Sequence, residues 1–428
     1  MTHRMIAIAS LILITLTGCS INPVTGENQF TILPPAQEVN LGARQYAPSQ
    51  QSQGGRYIVD PDLSVYVNQV GQKLAKVSDR PGLPYEFVVL NNDVPNAWAL
   101  PGGKIAINRG LLMELQDEAQ LAAVLSHEIV HAAARHSASQ MTQSMLLGVG
   151  TQLAGIAARN TDYGELAVLG SQLGAGLYQA SYGRGQELEA DQYGILYMAR
   201  AGYDPQAAVE LQQTFVRLSA KRQSNWLEGL FASHPPSQQR VDANRLHAAQ
   251  FSAHNRNRAA FERAMKQVRG DQPAYKLHQD ALAAALQKRF SDARSLVQQA
   301  INSQPKEALF WATKGKLALQ NKTFKTAHTA FNKAHQLNPE YFLPLLGKGI
   351  AAQKLERYEQ AEQDLSSSLQ LLPTQSGAYY LAETKLALGQ TDMAIRYFRQ
   401  AAQGGGQLGE YAKAYLAELQ PPPSTQQQ

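Results

Sequence analysis

The feature that most limits the fold is a 34-residue period in the last third of the chain. Pro305, Pro339 and Pro373 share this step, as do Ala293, Ala327 and Ala361, and Gly315 with Gly349. A unit of this length with small residues at fixed points reads as a helical hairpin. Gly and Ala at contact points let two helices approach closely, and Pro marks the end of the second. One hairpin cannot bury its apolar face alone, so the period predicts a stacked α-helical solenoid. The clearest copy holds Trp311, Gly315, Ala327, Phe331, Ala334 and Pro339, and the next keeps Gly349, Tyr358, Ala361 and Pro373. A third copy, with Tyr379, Leu386, Ala394, Phe398 and Ala401, runs one residue out of step. An earlier degenerate copy holds Ala281, Phe290, Ala293, Ala300 and Pro305.

The rest of the 428 residues reads differently. Asp60 to Ala75 is helical, Tyr85 to Leu90 is a short strand, and Trp98–Leu100 with Lys104–Asn108 flank a Pro101-Gly102-Gly103 turn, predicting a hairpin. The pattern is helical from Asp117 to about Arg159, and again over roughly Thr161–Ala201, where Gly202 ends it. A few strands among many helices predict an α+β unit, and the whole chain is mainly α. A net charge of +5 over this length excludes a nucleic-acid binder driven by bulk charge. A single cysteine excludes an internal disulfide framework and any Cys-based metal cluster.

That cysteine is Cys19. It follows Arg4, an apolar run from Met5 to Leu16 that is too short to span a bilayer, and then Thr17-Gly18. Leu16-Thr17-Gly18-Cys19 resembles a bacterial lipoprotein signal. The resemblance implies cleavage before Cys19, lipidation of Cys19, and, with Ser20 next, the inner leaflet of the outer membrane. Polar, turn-rich residues 20–58 read as an extended tether leading into a first helix near Gln37–Tyr46. Met145–Val149 and Leu166–Leu177 are apolar stretches that read as core, or as cover for a site or a membrane contact. Pro421–Gln428 reads as a disordered tail.

Chemistry concentrates in residues 121–136. His127-Glu128-x-x-His131 lies on a strong helical pattern, where the i, i+4 spacing puts both imidazoles on one face within reach of one tetrahedral Zn²⁺. Glu128 sits beside that face, able to take a proton from a metal-activated water without ligating. A catalytic zinc wants a third protein ligand and an open position. Glu187 and Asp191, i, i+4 on the next helix, are candidates, with Ala190 and Gly194 small enough for close approach. Glu189 points about 200° away from Glu187 and is a poorer partner for the same site. His136, nine residues after His127, falls about 180° away on the helix and reads as structural or as compensation of the helix C-terminal dipole, not as a ligand.

HExxH followed about 55 residues later by Glu-x-x-x-Asp resembles the membrane-associated M48 metallopeptidases, a gluzincin family. Asn96-Ala97-x-Ala99-x-Pro101-Gly102-Gly103-x-Ile105, Gly110-Leu111-Leu112, and Ser233-His234-Pro235-Pro236 with Arg240 resemble further blocks of that family. The repeats match the tetratricopeptide pattern, which a periplasmic subgroup concerned with β-barrel assembly pairs with this peptidase. The resemblance implies one zinc per chain on His127, His131 and Glu187, with Glu128 as general base. It leaves Asp191 as an orienting carboxylate or a proton donor. His234 is left as an oxyanion donor or a fourth zinc ligand that keeps the enzyme latent, with the resemblance favouring the ligand. Arg240 is left as a partner of a site carboxylate or a helix cap.

The strand Ile105-Ala106-Ile107 reads as an edge on which an extended peptide can add. The domain reading is a signal at 1–18, tether and first helix at 19–58, peptidase at 59–250, linker helix at 251–272, repeats at 273–420 and tail at 421–428. The function this predicts is envelope proteolysis of unfolded or misassembled outer-membrane proteins, aiding their assembly. The repeats would recruit substrate or the β-barrel assembly machinery. Two rivals are a chaperone or scaffold that cuts little, and a processing protease for one defined envelope substrate.

Overall fold

The structure, a computed structural model, describes residues 19–143, 182–220 and 229–419. The signal at 1–18, the apolar stretches Met145–Val149 and Leu166–Leu177, and Pro421–Gln428 lie outside the described residues. Among those described, no helix is long and apolar enough to cross a membrane. The chain divides into two compact units, Met1–Lys266 and Gln267–Gln428.

The first unit opens with β1 (Cys19–Ile21) and β2 (Asn28–Phe30), an antiparallel pair in which Cys19 lies opposite Phe30. The stretch expected to be extended is therefore a closed hairpin. Its own turn chemistry closes it: the Asn22 carbonyl accepts from the Gly26 N–H at 2.9 Å, and Gly26 takes φ 76°. The first helix, α1 (Pro35–Ser52), runs past the expected Gln37–Tyr46 at both ends. Helix α2 (Pro61–Ala75) starts where Asp60 accepts from the Leu63 N–H.

Three strands follow: β3 (Glu86–Leu90), β4 (Ala97–Leu100) and β5 (Lys104–Asn108). The expected β4–β5 hairpin turns at Gly102 and Gly103, both at positive φ. The expected free edge is overturned. The order is β3-β5-β4, so Ile105, Ala106 and Ile107 lie in the central strand, parallel to β3 and antiparallel to β4. Both ladder faces of β5 are used, leaving no backbone groups there for a peptide. The parallel β3 partner is remote in sequence, and nothing local in β5 announces it.

After α3 (Arg109–Glu114) comes α4 (Glu118–Ala133), whose N-cap Asp117 accepts from the Gln120 N–H. The helix expected to run to about Arg159 stops here. Arg135 takes φ 63°, and helical backbone resumes only over 136–143. Arg135 is held in that left-handed pose by the Glu38 carboxylate at 2.7 Å and the Leu33 carbonyl at 2.5 Å.

The unit continues with α5 (Arg184–Arg200), α6 (Gln206–Ala220), α7 (Leu230–Ser233), α8 (Gln238–Ala248) and α9 (Arg258–Ala264). Gly202 at φ 81° ends α5, as its position predicts. Beyond residue 250 the chain is clamped onto the start of α4. Arg256 reaches the Asp117 carboxylate at 2.8 Å, and the Asn257 side-chain amide donates to Glu118 at 2.7 Å.

The second unit is the helical array that the period predicts. Its hairpins pair α10 (Gln272–Leu286) with α11 (Phe290–Ser303), α12 (Ala308–Gln320) with α13 (Phe324–Leu337), α14 (Phe342–Lys354) with α15 (Tyr358–Leu371), and α16 (Gln375–Ala387) with α17 (Thr391–Ala402). A last helix, α18 (Gly406–Leu419), packs on α17. The period is written into the backbone as well. Lys288, Lys322 and Glu356 all take left-handed φ near 60° at the hairpin turns, and Gly389 does so one residue early. That early glycine accounts for the third copy being out of step. Ring and branched side chains of the partner helices explain the periodic glycines: a Cβ on Gly315 would lie 2.7 Å from the Phe331 ring, and one on Gly349 2.7 Å from Leu365 Cγ; Gly347, too, lies where a Cβ would meet Phe331, at 2.3 Å.

Candidate metal centre

Three short segments meet at one point. Helix α4 is buried around almost its whole circumference and presents His127 and His131 one turn apart. Helix α5 crosses it closely at Gly194, where a Cβ would stand 3.3 Å from the His127 backbone nitrogen. That approach delivers Glu187 and Asp191 from the first two turns of α5. The third segment is α7, tied to the sheet side by the Leu230 N–H donating to the Pro95 carbonyl at 2.9 Å. His234 follows α7 directly and points back over the two histidines.

One ligand atom from each of His127, His131, Glu187 and His234 falls within 4.8 Å of all the others. His131 Nε2 lies 3.0 Å from His127 Nε2, which lies 3.2 Å from His234 Nδ1. Glu187 Oε1 is 2.9 Å from His234 Nδ1 and 3.4 Å from His131 Nε2. Zinc with bonds of about 2.05 Å in a tetrahedron needs ligand atoms about 3.3 Å apart. The observed separations bracket that value, so three imidazoles and one carboxylate fit such an ion. The sequence-predicted ligands His127, His131 and Glu187 are thus brought together, and His234 joins them as a fourth donor.

The electrostatics suit ligands. Burial holds the His131 imidazole well below its usual range, which keeps a lone pair available. Burial would raise the Glu187 carboxyl, but His234 and Arg240 outweigh it and hold the group well below the usual carboxylate range. Glu128 differs. Burial pushes its carboxyl up, against the opposing pull of His234 and His127. Its Oε1 lies 3.4 Å from His234 Nε2, and its Oε2 is buried with no hydrogen-bond partner among the described residues.

Asp191 stands behind His127, accepting from Nδ1 at 3.0 Å through Oδ1. Arg240 resolves between its two readings in favour of the carboxylates. It grips Asp191 at 2.7 and 2.8 Å, ion-pairs with Glu187 Oε2 at 2.7 Å and donates to the Pro235 carbonyl. The cap of α8 comes instead from Ser237, which accepts from the Arg240 N–H. Both Asp191 oxygens are engaged by Arg240 and one also by His127.

Sequence reasoning missed two neighbours. Tyr182 stacks on the His131 ring at 3.7 Å, its hydroxyl paired with Ser137. No spacing signal marks a lone tyrosine that precedes α5. His136, read as turned away, is at the site: its Nδ1 lies 2.9 Å from His131 Nδ1. The helical-wheel argument fails because Arg135 interrupts the helix before His136. Glu189, the poorer partner by helical angle, faces His136 Nε2 at 3.3 Å.

Beside Glu128 opens a cleft of about 50 Å³. Ala123, Val124, Ala208, Leu211 and Phe215 give it apolar walls. A buried HExxH helix with a glutamate from a second helix, backed by a carboxylate–arginine pair, is an arrangement that could hold a metal ion beside a free carboxylate. Residues 61–247 match Peptidase family M48, and the chain carries a peptidase M48 domain over that span.

Relatives agree. The chain is 32% identical over 209 residues to the "Putative beta-barrel assembly-enhancing protease" of Vibrio cholerae, covering 45% of this chain and 41% of that protein. It is 31% identical over 237 residues to the "Beta-barrel assembly-enhancing protease" of Escherichia coli, covering 54% and 47%. The chain thus spans about half the length of these curated relatives or less. Among solved structures, the first TPR domain of the human RPAP3 protein overlays with a TM-score of 0.28 at 21% identity, covering 29% of this chain and 98% of that one.

Proposed function

We propose that this chain is a zinc endopeptidase of the cell envelope that degrades misassembled outer-membrane β-barrel proteins and assists their assembly. The single observation that carries the catalytic part is the buried Glu128 carboxylate, raised in pKa and with one oxygen unpartnered, beside a four-donor cluster. The envelope part rests on the names of the relatives and on the lipoprotein-like signal before Cys19. In this reading lipidated Cys19 holds the protein at the outer membrane from the periplasmic side. The repeats recruit substrate or the assembly machinery.

His127, His131 and Glu187 would hold the metal, which would supply Lewis-acid polarisation of the scissile carbonyl and acidify water. Asp191 keeps the His127 ring in one tautomer and orientation, and Arg240 keeps Asp191 and Glu187 ionised. The substrate backbone lies across α4 with one side chain in the cleft lined by Val124, Leu211 and Phe215. Glu128 takes the proton from the attacking water on Oε2 and later delivers it to the leaving amine. Its raised pKa places it nearer the operating pH, where both transfers are efficient.

A specific observation favours latency as the second element. His234 Nδ1 sits 3.2 Å from His127 Nε2 and 2.9 Å from Glu187 Oε1, where it would take the position that a catalytic zinc must keep open. His234 therefore acts as a latch that substrate displaces. The test is zinc content and casein cleavage for wild type, Glu128→Gln and His234→Ala. Zinc near one per chain, loss of cleavage in Glu128→Gln and faster cleavage in His234→Ala are expected. A wild type without zinc would sink the site, and a slower His234→Ala would sink the latch. If Glu128→Gln restored barrel assembly fully in cells lacking the protein, the chaperone reading would replace proteolysis.

A further inference from the structure

We propose that Asn22, Glu189 and His136 form a positioning chain that fixes the metal ligand His131 and couples the N-terminal hairpin to the metal centre. The proposal rests on the metallopeptidase reading and extends it to residues that reading does not use.

Tautomers set the direction of the chain. His131 faces the other donors through Nε2, so a metal ligand there requires the ring proton on Nδ1. That Nδ1–H points at His136 Nδ1, 2.9 Å away. His136 Nδ1 must then accept, and the single proton of a neutral His136 moves to Nε2. His136 Nε2 faces Glu189 Oε1 at 3.3 Å, an ion-pair contact that lacks hydrogen-bond geometry in this structure, and the same oxygen accepts from the Asn22 side-chain amide at 2.7 Å. The carboxylate beside His136 Nε2 favours the tautomer with its proton there, which leaves Nδ1 as the acceptor toward His131. Asn22 is itself preset, because its Oδ1 accepts from the Val24 N–H at 2.9 Å in the turn of the hairpin. His131, His136 and Asn22 are all buried.

The chain mirrors the Asp191–His127 arm on the opposite ligand, with one imidazole inserted. It also reaches farther. Asn22 lies three residues beyond Cys19, in the β1–β2 turn, and the next segment docks on the same side of the site. The Ile32 N–H donates to Thr142 Oγ1 at 3.1 Å, and Arg135, the residue before His136, holds Leu33 and Glu38. Coupling between two sites is reciprocal, so whatever docking of residues 20–38 adds to metal affinity, the metal adds to docking.

The experiment uses the full chain and zinc itself. Zinc affinity is measured by competition with a chelating dye for wild type, Glu189→Gln, His136→Phe and Asn22→Ala. The expected loss is about 10–100-fold for Glu189→Gln and His136→Phe, the usual scale for removing a ligand's orienting partner. Asn22→Ala falls in the same direction by less. Hydrogen exchange gives a readout that a merely structural role does not move. In wild type, zinc slows exchange at the Val24 and Thr25 amides, and in Glu189→Gln that zinc-dependent slowing is lost. If Glu189→Gln fails to fold, Asn22→Ala carries the test, since it leaves every group at the metal in place. Affinities within twofold of wild type, with unchanged zinc-dependent protection, overturn the proposal. A wild type that binds no zinc overturns it together with the metallopeptidase reading, so the two failures are distinguishable.

Discussion

Arg240→Met is the most informative perturbation of the site after the ligands themselves. The guanidinium is almost fully buried and touches two buried carboxylates, Asp191 at 2.7 Å and Glu187 at 2.7 Å. Their surroundings would raise both carboxyls by burial alone, and Arg240 is a leading reason that both stay low. Methionine keeps much of the stem volume and removes the charge. Breaking a buried pair by deleting one partner costs about 3–5 kcal/mol, because the remaining charge is left uncompensated. In a unit of roughly 150–250 residues each kcal/mol moves the midpoint by roughly 2–4 °C. The metal-free transition of the first unit should therefore fall by roughly 6–20 °C, read by scanning calorimetry in chelator. Zinc restores a cation next to Glu187, so the fall should be smaller in zinc. Adding Asp191→Leu to Arg240→Met should recover part of the loss, since replacing both members of a buried pair by apolar groups can be near neutral. A shift below about 2 °C without metal, or a larger shift with zinc than without, would refute the reasoning.

Other outcomes follow from the same geometry. Glu128→Gln should keep its zinc and lose about 10²–10⁴-fold in peptide hydrolysis, the contribution of one general acid–base group, as measured on a fluorogenic peptide. Phe331→Ala should cost about 3–5 kcal/mol in the repeat unit, since the ring is fully buried against Gly315 and Gly347; thermal unfolding of that unit checks it. Gly194→Val should push α5 away from α4 and lower both zinc affinity and turnover, because its Cβ alone already meets the His127 backbone at 3.3 Å.

Local features carried most of the prediction. The candidate ligand pair His127 and His131 is one helical turn, and the α5 pair Glu187 and Asp191 is another, so each needs only its own helix to form. The repeat period is likewise local, down to the left-handed turns at Lys288, Lys322 and Glu356. What escaped depends on partners remote in sequence. The apolar run in β5 looks the same whether one neighbour or two flank it, and the second neighbour, β3, pairs in parallel in a register that sets Glu86 opposite Lys104. The stop of α4 is similar. Nothing in Ala133-Ala134-Arg135-His136 ends a helix by composition; Arg135 turns left-handed because Glu38 and Leu33, about a hundred residues earlier, receive its side chain.

That one stop reorganises the site. Had α4 continued, His136 would lie on the far face, as a helical wheel places it. The left-handed residue swings it back behind His131, where it can accept a proton from the ligand ring. The residues that cause the stop belong to the N-terminal segment, and so does Asn22, which meets Glu189 on the other side of His136. The polar, turn-rich stretch that reads as an extended tether therefore both holds Arg135 after the HExxH helix and, through Asn22, holds the carboxylate that faces His136. Deleting residues 20–34 while keeping every HExxH residue should then weaken zinc binding more than any single substitution within that stretch. A truncated chain that binds zinc as tightly as the full one would show that the segment is only an attachment.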